Sequence, residues 1–177
     1  MDNPRNSLDF LTICCLRLLW DDIYENWMMV AQDAGLTVTE EQILLVLRLA
    51  SASTVTEAAF ILQRDKGTIS KSIFSLERNG LVRRKVLEDR RYSEFTLTAK
   101  GEEVSEELIN AHIKGRGMGF AKGFLALSEE ERLAFARTAF KLARYVYGDN
   151  YLSTVQQMQN LPVEAGRLIR LLKEETD

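Results

Sequence analysis

The chain has 177 residues, 46% hydrophobic and 28% charged, with two prolines and a formal net charge of −3. That is enough apolar material for a buried core, it excludes an intrinsically disordered chain, and the scarcity of proline leans towards helix. No stretch suits a bilayer: the most apolar run near the N-terminus, Phe10 to Trp20, is broken by Arg17 and followed by Asp21 and Asp22. With no cleavable apolar run at the N-terminus, the expectation is a soluble, cytoplasmic protein. Cys14 and Cys15 are adjacent, so on a helix they point about 100° apart and cannot pair with each other. One histidine, His112, leaves no dense Cys/His set for a structural zinc. There is no phosphate-cradling glycine loop, GxSxG elbow or HExxH pair, so no catalytic residue, metal or cofactor is expected.

In chain order, Leu8 to Ala34 reads as one long helix. Leu11, Cys15, Leu18, Leu19, Ile23 and Trp27 recur at spacings of three and four, and Gly35 ends it. Thr39 with Gln42 has the spacing of a capping box and opens a second helix, whose buried stripe is Ile43, Leu44 and Leu47. Ser51 to Ser53 break that helix. Thr54 with Glu57 opens a third, running to about Gln63. After a short polar turn Asp65 is a good N-cap for a fourth, ending at Asn79 and Gly80. Val82 to Leu87 and Tyr92 to Leu97 read as strands joined by a charged tip, Glu88 to Arg91. Thr98 begins a helix to about Ile113. Gly115, Gly117, Gly119 and Gly123 each cost roughly 1 kcal/mol inside a helix, so a kink or break is expected there. Ser128 with Glu131 starts another helix, closed by Gly148. Val163 to Glu175 is a last helical stretch.

The charge is unevenly spread. Nine positive and four negative side chains lie between Arg64 and Arg91, a net of +5, which leaves −8 for the rest of the chain. A basic patch on an acidic body suits a protein that meets phosphate through one surface. The same segment has the order helix, helix, turn, helix, two strands, which is the winged helix-turn-helix plan.

A DNA-reading helix needs one face held by a core and the other free for base edges. On Lys66 to Asn79, Ile69, Ile73 and Leu76 fall within about 60° of one another and form the buried stripe. Lys66, Gly67, Thr68, Ser70, Lys71, Ser75 and Arg78 supply the other face. Lys71 and Arg78 reach guanine acceptors or phosphates, the hydroxyls bond bases or phosphates, and Gly67 allows close approach. Phe74 fits either contact with thymine methyls or packing under the wing. At the wing tip Arg90 and Arg91 suit a narrow minor groove, with Asp89 holding one guanidinium in place.

These segments resemble the MarR family of transcription regulators. Leu76-Glu77-Arg78-Asn79-Gly80-Leu81-Val82-Arg83-Arg84 is similar to that family's helix end and first wing strand. Asp89-Arg90-Arg91 matches its wing signature, and Leu97-Thr98-Ala99-Lys100-Gly101 its exit into the next helix. The likeness spans about residues 8–147. It departs at Ala58-Ala59, where the family usually has Leu-Ala, and at the glycine cluster.

The resemblance implies a mainly α protein with a small β-wing, a winged helix-turn-helix lobe on a helical dimerisation frame. It implies a homodimer on palindromic double-stranded DNA, repression as the default, and a small-molecule effector cleft between dimer base and lobe. The expected division is an N-terminal dimerisation helix at 1–38, the lobe at 39–97, C-terminal dimerisation helices at 98–148 and a helical tail at 149–177. Leu19-Trp20, Ile23 and Trp27, together with Arg144 and Tyr147-Gly148-Asp149-Asn150-Tyr151, resemble the Hpr-type protease-production and sporulation regulators.

Two other functions are weighed. Cys15 resembles in position the sensing thiol of MarR-type hydroperoxide sensors, but their supporting tyrosines would fall at Leu19 and Met29, which donate no hydrogen bond. Packing as a small hydrophobe is the preferred reading of Cys15. A winged helix that binds only proteins is the other, and the basic wing and polar helix face argue against it. His112 reads as a packing residue. Trp20, Tyr24 and Trp27 read as core or dimer residues before cleft residues.

Overall fold

In the computed structural model, which describes residues 4–50, 53–86, 93–114 and 119–156, local capping chemistry divides the chain. Helix α1 (Pro4–Asp33) carries proline at its first position, where the missing N–H costs nothing. It stops at Gly35, whose φ of +69° turns the chain so that the Leu36 N–H reaches back to the Ala31 carbonyl at 2.8 Å. Helix α2 (Val38–Leu49) is capped by Thr37 and Glu40 rather than by Thr39 and Gln42. Thr37 is the extended residue after the glycine turn. Its hydroxyl accepts the Glu40 N–H at 3.2 Å, and the Glu40 carboxylate accepts the Thr37 N–H at 2.8 Å. Thr39 is therefore already inside the helix.

The next two caps fall where the sequence pattern puts them. Thr54 and Glu57 form the capping box of α3 (Val55–Leu62), and Asp65 caps α4 (Lys66–Arg78). Between them Gln63 takes the left-handed conformation, φ 50°, which turns the chain sharply into α4. Strand β1 (Val82–Val86) pairs antiparallel with β2 (Ser93–Leu97), with Arg84 opposite Phe95. The expected strand ends at Leu87 and Tyr92 lie outside the described residues.

Thr98 ties the wing to the next helix. Its hydroxyl donates to the Gly80 carbonyl at 2.6 Å and accepts the Gly101 N–H at 3.1 Å, opening α5 (Ala99–Lys114). Helix α6 (Gly119–Ala126) follows, and its first N–H groups are held by the Asp22 carboxylate of α1, at 3.2 Å from Gly119 and 2.7 Å from Phe120. Gly115 and Gly117 lie outside the described residues. Ser128 and Glu131 cap α7 (Glu129–Gln156). Gly148, φ 79°, is not helical: the first helical part of α7 closes there, as expected, and after the kink helical turns continue to Gln156. The expected tail helix, Val163 to Glu175, lies outside the described residues.

The core sits in the lobe. Ile43 and Leu44 of α2, Ala58 of α3, Ile69, Ile73 and Leu76 of α4, Val82 and Phe95 of the wing and Leu108 of α5 are all buried, and Val30, Ala31 and Leu36 close one side. The described part is thus mainly α with one small β-wing. The apolar stripe read along α1 is only partly inside: Leu19, Ile23 and Trp27 are half-buried, while Leu11, Cys15 and Leu18 face out.

Gly101 is required by close approach. A Cβ there would overlap the Leu81 carbonyl, and backbone cannot swing away as a side chain can. Gly101→Ala should lower stability by about 1–3 kcal/mol, the usual cost of overpacking, read as a lower urea midpoint. An unchanged midpoint would contradict this contact.

Candidate nucleic-acid interface

Helix α4 is held from one side. Ile69, Ile73 and Leu76 are almost wholly buried, while Lys66, Gly67, Ser70, Lys71 and Arg78 are exposed on its other side. At its start the Asp65 carboxylate accepts the Thr68 N–H at 2.8 Å and the Thr68 hydroxyl at 2.6 Å. Those Thr68 bonds hold the Asp65 carboxyl below its ordinary range. A Cβ at Gly67 would lie 3.1 Å from Asp65 Oδ1, so the glycine keeps the cap tight as well as the surface low. The Thr68 hydroxyl is a committed donor, and what it offers a ligand is its methyl and its oxygen lone pair.

One residue of this helix departs from the expected pattern, and a second is placed where the pattern left two readings open. Ser75, expected on the reading face, is half-buried and bonds Glu40 of α2. Its hydroxyl works inside the lobe. Phe74, which fits base contact or packing equally well by its place on the helix, is 56% exposed, with the Arg78 guanidinium 6.0 Å over its ring. The ring supports the cation from below, which holds Arg78 along the helix surface.

The wing adds a cation that counts towards the basic patch but has no role assigned by its sequence position. Arg84 of β1 lies over the Phe95 ring at 5.3 Å and 3.8 Å from the Glu77 carboxylate. These two contacts hold it at the mouth of a groove of about 210 Å3 lined by Thr54, Val55, Thr56, Ser70, Arg84, Ser93 and Phe95. The groove joins the start of α3, the outer side of α4 and the base of the wing. Hydroxyls and one guanidinium are the donors a phosphate takes. Only the antiparallel pairing of Arg84 with Phe95 reveals this, and composition alone does not. Asp89, Arg90 and Arg91 lie outside the described residues.

A second cavity, about 500 Å3, lies between α1 and α5. Met29, Val30, Val104, Leu108 and Ala111 give it apolar walls, and Asn26, Asp33, Glu107 and Asn110 supply polar groups. Trp20, Tyr24 and Trp27 do not line it. Cys15 is exposed on the chain and Cys14 half-buried, so Cys15 is not a core residue of this chain. Its position among outward-facing apolar side chains of α1 is what moves it out. His112 does pack, against Trp27, but it also bonds Glu41. Among the described residues no group of three or more His, Cys, Asp or Glu is placed to hold a metal ion.

Residues 36–101 match the family profile of a winged helix DNA-binding domain. The solved structure of a MarR family transcription regulator superposes with a TM-score of 0.69 at 22% identity, covering 80% of this chain and 92% of that one. A MarR family regulator from Silicibacter pomeroyi gives 0.64 at 21% identity, covering 82% and 97%. A single-residue mutant of S. aureus MepR bound to an oligodeoxyribonucleotide gives 0.50 at 21% identity, covering 76% and 97%. No curated protein matches the chain in sequence. The fold is therefore the winged helix fold of the MarR regulators, and no helix among the described residues is long and apolar enough to cross a membrane.

The caps that hold the lobe are themselves titratable. Burial pushes the Glu40 carboxyl up, but hydrogen bonds from Ser75 and Thr37 outweigh it and hold the group below its ordinary value. Glu57 is held low in the same way by Ser53 and Thr54. A carboxyl depressed in the folded state adds stability above its unfolded value, and that stability is lost as pH falls. The urea midpoint should therefore drop as pH falls below about 4.5, the ordinary glutamate value. Glu40→Gln and Glu57→Gln should each lower the midpoint at neutral pH and flatten the acid loss; an unaltered acid profile in both would remove these caps from the account.

Proposed function

We propose that the chain is a sequence-specific double-stranded DNA-binding transcription regulator of the MarR family, a repressor acting as a homodimer on a palindromic operator. The observation that carries this is α4: one apolar face sunk in the core and, on the other, a row of small and cationic residues beside the basic base of a wing. Lys66, Gly67, Thr68, Ser70, Lys71 and Arg78 enter the major groove. Arg84 and the hydroxyls of its groove take the flanking phosphates, and Arg90 and Arg91, with Asp89, reach the minor groove. The oligonucleotide in the MepR structure supports the same use of this fold.

Dimerisation is supported by the many large apolar side chains left exposed on α1, among them Leu8, Leu11, Leu18 and Trp20, and by Leu142, Tyr145 and Val146 on α7. Large apolar exposure of this kind marks surfaces that bind another protein. The cavity between α1 and α5 supports a small-molecule effector site. The Leu19-Trp20 and Tyr147-Gly148-Asp149 motifs support a place among the Hpr-type regulators, working in the cytoplasm.

Selection from a random duplex pool should return a palindrome with half-sites about one helical turn apart. Affinity should fall steeply with salt, and Lys71→Ala and Arg84→Ala should each weaken binding and reduce the log–log salt slope by about one. Salt-independent binding, or no enrichment by a chain that sediments as a dimer, would reject the reading.

A further inference from the structure

Glu41 sits in the first turn of α2 and is fully buried. Its Oε1 is hydrogen-bonded to Nε2 of His112 on α5, while its Oε2 has no partner. The other side of the imidazole lies against Trp27 of α1, ring centroids 5.1 Å apart and tilted by 44°. Three helices thus meet at one ring, and it belongs to the only histidine of the chain.

The same α2–α5 contact has a second polar tie about two helical turns along both helices. There the Arg48 guanidinium donates to the Glu102 carbonyl at 3.1 Å, to its carboxylate at 2.6 Å and to Ser105 at 3.2 Å, and it lies 3.5 Å from Glu106. Arginine and ordinary glutamates keep their charges across neutral pH. Histidine is the side chain that changes charge between about pH 5 and 8. The junction between the α4-bearing lobe and helix α5 therefore has one fixed tie and one that depends on a proton.

We propose that His112 and Glu41 form a proton-operated coupler that sets how firmly the DNA-reading lobe is held to the helical frame. With a proton bound from solvent, the imidazolium neutralises the buried Glu41 carboxylate across the junction. When the proton returns to solvent, Nε2–H still donates, but the buried carboxylate has lost its counter-charge. A buried charge without a counter-charge is costly, so the α2–α5 contact loosens. The groups facing the imidazole are Glu41 from α2 and the uncharged Trp27 ring from α1. Asp33 and Glu107 are the further carboxylates nearby, on the wall of the adjacent cavity. That wall also includes Asn26 and Ala111, the chain neighbours of Trp27 and His112. A lobe fixed on its frame is preorganised for its half-site, so protonation favours DNA binding.

The affinity part of this inference rests on the DNA-binding reading; the optical part does not. In a Trp20→Phe background Trp27 is the one remaining indole, and a neighbouring imidazolium quenches indole emission. Emission should fall in a single-proton step between pH 8 and 5.5. The step should vanish in His112→Gln, which keeps a donor towards Glu41 without a titrating proton. Affinity of the full chain for a random-sequence duplex pool should drop about fivefold from pH 5.5 to 8, at the small end of allosteric couplings. His112→Gln should be flat over that range. A flat emission profile, the same step in His112→Gln, or a step with unchanged affinity overturns the coupler. If no duplex binds at any pH, the DNA reading fails instead, and the urea midpoint decides the coupler. It should fall from pH 5.5 to 8 in the native chain and not in His112→Gln; equal falls in both overturn it.

Discussion

Ile69, Ile73 and Leu76 bury α4 from one side only, and the functional surface depends on that one-sidedness. Burying three such side chains contributes several kcal/mol at about 1.5–3 kcal/mol each, which anchors the 13-residue helix to the lobe. The opposite face is then released from any structural duty. It can carry Gly67, Ser70 and Lys71, which contribute little to a core. The same burial fixes where α4 ends, so that the Gly80 carbonyl meets Thr98 and the wing starts beside the helix. Helix face and wing base are positioned by one packing event.

Charge is arranged to match. The body is acidic, and several of its carboxylates are used in structure: Glu40 and Glu57 in capping boxes, Asp65 at the α4 N-terminus, Asp22 on α6. Helix N-termini favour such anions by about 0.3–1 kcal/mol each at exposed sites. Two cations at the α4 and wing surface are also held by rings: Arg78 by Phe74, and Arg84 by Phe95 as well as by the Glu77 carboxylate. An aromatic face orients a guanidinium without neutralising it, so Arg78 keeps its positive potential for a polyanion, although the chain as a whole is negative.

Much of this was legible in sequence because it is local. A capping box spans four residues and an apolar stripe repeats every turn, so Thr54 with Glu57, Asp65, and the Ile69-Ile73-Leu76 stripe could be read directly. The cap at Thr37 was misread because Thr39 has an equally good partner at the same offset, and only the glycine turn at Gly35 decides between them. Contacts between distant segments were out of reach. Arg84 acquires its position from Phe95 across the sheet, Ser75 is drawn to Glu40 from another helix, and His112 lies 71 residues from Glu41. Periodicity likewise could not say which half of α1 is covered, because apolar spacing continues into the half that faces out.

The two ties between α2 and α5 differ in what burial does to them. Glu102 and Glu106 are 57% and 66% exposed, and pairs with such partners are worth about 0–1 kcal/mol because water competes for both charges. Glu41 is wholly buried and His112 only 17% exposed, so their interaction escapes that screening in both directions. Leaving one charge of such a buried pair unmatched is costly. A frame that carried only the Arg48 tie would hold the lobe weakly and indifferently to conditions. Placing one titratable ring between α1, α2 and α5 makes the attachment of the reading surface responsive to a single proton.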